Sequence, residues 1–183
     1  MKYAIRMFAL VSAVVVAAPH YALAQAAAGV SLKAEMVKDW TGLKDTMTKI
    51  ATEMPADKFN AKPTPEQQSF AERVVHIAQV NNRFLGAVGG TAKAPALDAK
   101  AAGMSKEAAI KAMQDSFDYG TAVLNEQTDQ TMLQAAAMPP PFLGPSTRAR
   151  LYTFLIGHTW DIYGQMVVYL RLNGGVPPAS QRP

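Results

Sequence analysis

The stretch TRARLYTFLIGHTWDIYGQMVVYLRL, residues 147–172, decides the fold. At about 100° per residue, Leu151, Phe154, Leu155, His158, Ile162, Gln165, Met166, Tyr169 and Leu172 fall on one helical face, with His158 at its centre. Tyr152, Ile156, Trp160, Tyr163, Val167 and Leu170 fall on the opposite face. A helix that is apolar nearly all round must be buried on both sides. The second stripe is therefore expected to meet either a second copy of the chain, in a homodimer through this helix, or the long loops 91–104 and 127–146.

Upstream, Leu32, Met36, Trp40, Leu43, Met47, Ile50 and Met54 recur at steps of three and four, the stripe of a first amphipathic helix that Pro55 ends. Pro55, Pro63 and Pro65 keep residues 55–66 out of a helix. Ser69 with Glu72 fits a capping box, and Phe70, Val74, Ile77, Phe84 and Val88 make the stripe of a second helix, with His76 on its flank. Gly89-Gly90 stops it. Residues 91–104, rich in Ala, Gly and Lys, read as a crossover loop. Ser105 opens a third helix with the stripe Ile110, Met113, Phe117 and Leu124, and the prolines within 127–146 force a second irregular crossover. The expected architecture is all-α: a four-helix bundle with long crossover loops.

The first 24 residues are set apart from this pattern. Lys2 and Arg6, an apolar run from Met7 to Ala18 and the ending Ala22-Leu23-Ala24 have the three parts of a secretory signal peptide. The apolar run is too short for the roughly 20 residues a membrane span needs, so the expectation is cleavage, export to the periplasm or beyond, and no membrane span. The remaining chain, 25–183, is expected to be one domain. Without Lys2 and Arg6 it has 16 cations against 14 anions, which gives none of the basic stripe that binds nucleic acid. The absence of Cys excludes disulfides, thiolate metal sites and thiol nucleophiles.

Chemistry then falls to the two histidines of the mature chain, His76 and His158. Two imidazoles on facing helices are a common start for a divalent site holding Zn, Ni, Mn or Fe. On an ordinary bundle, a lone histidine on an apolar face is more often a core residue whose nitrogens are hydrogen-bonded. No Glu-x-x-His pair, Gly-rich phosphate loop or HExxH sequence is present.

The run from Trp40 to Leu43, the run Phe70-Ala71-Glu72-Arg73-Val74-Val75-His76-Ile77-Ala78, and the block from His158 through Gly164-Gln165 and Tyr169-Leu170-Arg171 to Gly174 resemble the DinB-like family of bacterial four-helix proteins. That family is distinct from the DNA polymerase of the same name. The resemblance runs from the first helix to the Val176-Pro177-Pro178 tail. It implies a divalent-metal site of three histidines, one on the second helix and two spaced four apart on the fourth. His76 and His158 match the first two positions, and Ile162 stands where the third is expected. Neither Gln165, a neutral amide, nor Asp161 or Asp118, which lie off the core faces, is expected to replace it.

The reading is thus an exported DinB-like bundle with a degenerate His, His, Ile site, non-catalytic or weakly metal-binding. The alternative is a divalent-metal-dependent hydrolase or thiol-transferase-like enzyme. A pocket between the second and fourth helices, holding a small molecule, is the remaining option.

Overall fold

The computed structural model describes residues 30–97 and 104–181. The proposed signal peptide and residues 98–103 of the first crossover lie outside them. Four long helices carry the structure: α1 (Leu32–Glu53), α2 (Phe70–Val88), α3 (Lys106–Asn125) and, after the one-turn α4 (Asp129–Met132), α5 (Arg148–Leu172). Among the described residues the only β pairing is an isolated bridge between Ala135 and Thr147. No helix among them is long and apolar enough to cross a membrane.

Each helix starts where its sequence supplies an acceptor for the otherwise unpaired N–H groups of a first turn. Ser31, Ser69, Ser105 and Thr147 cap α1, α2, α3 and α5, and the Ser69–Glu72 box closes in both directions. Tertiary partners add to these caps. Asp129 Oδ1, at the start of α4, accepts from Ser31 Oγ at 2.7 Å and from the Lys33 amide at 2.9 Å, tying the second crossover to the start of α1. At the other end of α1, Lys106 Nζ donates to the Thr52 and Met54 carbonyls, which have no partner within the helix.

α1 packs on α3 and α5, and α2 packs on α3 and α5. The principal neighbours around the bundle are therefore α1, α3, α2 and α5 in that order, and helices adjacent in sequence at the two ends of the ring sit diagonally. The connections 54–69 and 126–147 therefore join diagonal helices across an end of the bundle, whereas the crossover between α2 and α3 joins neighbours.

The core centres on Trp40, which is fully buried. Its indole Nε1 donates to the Phe117 carbonyl at 2.8 Å, and its ring lies 4.8 Å from Phe117 and 5.6 Å from Tyr152. Tyr152 Oη donates to the Gly120 carbonyl at 2.8 Å. Gly120 is where the backbone of α3 meets the indole: a Cβ there would stand 2.5 Å from the Trp40 ring.

The second apolar stripe of α5 is covered in part by the chain itself: Tyr152 and Leu170 are buried, Ile156, Tyr163 and Val167 half-buried, and Trp160 exposed. Tyr152 reaches Trp40 of α1, and Ile156 and Trp160 line a groove with Lys38, Asp39, Gly42, Leu43 and Thr46 of α1. Tyr163 faces Thr46 and Lys49 together with the C-terminal residues Pro178 and Ala179. Among the described residues, α1 is the main cover of this face. The doubly apolar pattern records a helix held between α1 and α2, with Trp160 of the second stripe left 47% exposed.

Candidate metal centre

His76 and His158 meet. α2 and α5 pack side by side and bring the two half-buried imidazoles to a centroid separation of 5.2 Å, with their planes at 72°. Two imidazoles sharing a tetrahedral ion, with metal–nitrogen bonds of about 2.0–2.1 Å, place their centroids roughly 5 Å apart. His158 Nε2 is enclosed and has no hydrogen-bond partner. A buried nitrogen without a partner costs free energy that a metal ion would recover. On distance and on this orphaned atom, the pair fits a divalent ion as two of its ligands.

The third position does not fit. Ile162, one turn beyond His158, is 2% exposed and belongs to the core. No group of three or more His, Cys, Asp or Glu side chains among the described residues is arranged to hold an ion. Asp118 is far from the question, since its carboxylate pairs with Lys44 of α1. Gln165 is half-buried, and its Nε2 donates to Asp161 Oδ2 at 2.9 Å, so its amide is tied to an exposed acid.

Electrostatics keep the imidazoles neutral, the form that ligates. Partial burial lowers the pKa of His76 below its ordinary value of 6.5, and the positive charge of Arg73 lowers it further. Burial does the same to His158, helped by His76 and Arg73 and opposed by Asp161.

One side of the pair is an apolar wall. Phe154 stacks parallel to His158 at 6.1 Å and to Phe84 at 4.9 Å, and Phe142 from the second crossover packs edge-on against Phe154. Arg73, whose charge reaches both imidazoles, lines a groove of about 460 Å³ with Pro63, Thr64, Gln67, Gln165, Val168 and Tyr169. The sequence reading missed Arg73. Its signal was present, however: it is the cation one turn before His76 on a largely apolar helix whose Glu72 is already used in the cap.

Comparison with known proteins agrees with this architecture. The family model described as "DinB family" matches residues 27–183. A DinB-like protein from Bacillus cereus superposes with a TM-score of 0.61 at 18% identity, over 78% of this chain and 93% of its own. A second DinB-like protein, YjoA from Bacillus subtilis, gives 0.60 at 16% identity over 81% of this chain and 99% of its own. At such identities the two structures speak for the fold alone. No curated protein matches the sequence. With the fold shared and the family model spanning nearly all of the chain after its first 26 residues, the protein belongs to the DinB family.

Proposed function

We propose that this protein is an exported DinB-family bundle whose His76–His158 pair is a degenerate divalent-metal site, holding an ion weakly and lacking the third ligand that a hydrolytic or transfer centre would use. The observation that carries the reading is the conjunction of two facing imidazoles at 5.2 Å with a buried Ile162 one turn along α5. An ion held by two neutral nitrogens keeps most of its coordination sphere as water, and its binding energy falls accordingly. Export rests on the composition of residues 1–24.

The test is metal affinity, measured by competition with a chelating dye for Zn and Ni, on the protein produced without a His tag. The unchanged protein should bind weakly, and Ile162→His should bind on the order of 10- to 100-fold more tightly, a change at least as large as those from altering residues that support a ligand. His76→Ala should abolish what binding there is. Tight stoichiometric metal in the unchanged protein would overturn the reading in favour of a complete centre and an enzyme.

A further inference from the structure

The groove that Arg73 lines holds a cation with little to do. Arg73 projects from α2 into a space of about 460 Å³, and its guanidinium makes one long hydrogen bond, from Nη2 to Gln67 Oε1 at 3.3 Å. Its Nε is buried without a partner, and it forms no ion pair among the described residues. Glu72, the acid beside it in sequence, is engaged in the Ser69 cap and with Lys62, and Asp161 on α5 accepts from Gln165. A half-buried guanidinium is seldom left without an anion, because its desolvation is offset by a charge-assisted hydrogen bond.

The walls of the groove are preformed. Tyr169 Oη, on α5, donates to the Gln68 carbonyl at 2.7 Å and fastens the 55–69 connection across the groove. Phe70 packs at 5.5 Å from Phe59 and 6.3 Å from Tyr169, and the Phe70 and Ala71 amides donate back to Ala61 and Phe59. Polar groups able to orient a ligand, Thr64, Gln67 and Gln165, line the groove together with the apolar surfaces of Pro63, Val168 and Tyr169.

We infer that this groove binds a small organic carboxylate, its oxyanion on Arg73 and its apolar body on Pro63, Val168 and Tyr169. One cation flanked by neutral amides matches a monoanion better than a phosphate dianion, which would call for a second positive group. The site requires no metal, so it goes beyond the reading of the histidine pair and fails independently of it.

The probes are benzoate and its neutral counterpart benzamide, titrated into chelator-treated protein and followed by backbone amide shifts in two-dimensional NMR. Benzoate should bind at least about tenfold more tightly than benzamide, in keeping with a charge-assisted hydrogen bond. The shifts should cluster on residues 63–73 and 165–169. Arg73→Gln should erase the preference. Because Arg73 is half-buried, a second variant guards against misfolding: Val168→Glu, at an exposed position on the rim, supplies an internal carboxylate and should also remove benzoate binding. Equal affinities for the two probes, shifts elsewhere on the bundle, or a preference that survives both substitutions would overturn the inference. Repeating the titration on zinc-loaded protein separates the two readings: loss of the metal site leaves the benzoate preference intact, and loss of the preference leaves metal affinity intact.

Discussion

Thr159 is the residue next to His158 and is fully buried, yet its Oγ1 has no hydrogen-bond partner. A hydroxyl in that position gives up hydration without recovering it, so its removal should not destabilise the protein. Thr159→Val keeps the shape and drops the polar atom; thermal melting should show stability unchanged or raised by up to about 1 kcal/mol. A loss of more than about 1 kcal/mol would mean that a buried water satisfies the Thr159 hydroxyl. Ile162 shows the limit of what one residue reveals. Its identity was enough to find the missing ligand, but only the structure shows it filled into the core, where it contributes packing in place of coordination.

At the scale of elements, α1, α3 and α5 meet closely at a junction around Trp40. Trp40 spans it by its hydrogen bond to Phe117, and Tyr152 completes it from α5. Gly120 is required there for closeness of approach, since an added Cβ would meet the indole at 2.5 Å and neither backbone nor ring can move without disturbing the other two helices. Gly120→Ala, a change that favours an isolated helix, should therefore lower stability by about 1–3 kcal/mol in urea unfolding. If the variant proved more stable, helix propensity would outweigh packing and the junction would be looser than described. The helices themselves were legible: the caps at Ser69 and Ser105, the stops at Pro55 and Gly89, and the stripes of α1 and α2 are local signals. The one-turn α4 was not, because four residues, Asp129–Met132, carry too little periodicity to register; it is held by Asp129 reaching α1, a contact 96 positions away.

Over the whole molecule, pH should act through the histidine pair. Both pKa values lie below 6.5 in the folded protein, so between the folded values and 6.5 the unfolded chain binds more protons than the folded one. The stability conferred by neutral imidazoles is complete above about pH 6.5 and is lost as pH falls through the lowered folded values. Melting temperature should thus decline on acidification below about pH 6.5, and His158→Phe should flatten that part of the profile. A profile unchanged by the substitution would remove the histidines from the account. The Arg73 charge that helps to keep them neutral comes from the same helix as His76 but acts across to α5.

By itself the sequence determined that the chain is four amphipathic helices with capped starts and proline-broken connections, that His76 and His158 are its candidate ligands, and that Ile162 interrupts the third position. The helices and their caps are periodic or local, and a period of 3.6 residues is visible without knowing what lies opposite; the third position at Ile162 is what the DinB-like resemblance implies. Tertiary structure alone decided which faces meet. It placed α1 over the second stripe of α5, set the two imidazoles 5.2 Å apart, and turned Arg73 from an unremarked surface charge into the one cation of a groove. Such facts depend on the order of helices around the bundle, which is set by the packing of Trp40, Phe117, Gly120 and Tyr152 between residues up to 112 positions apart and leaves no signature in any one segment.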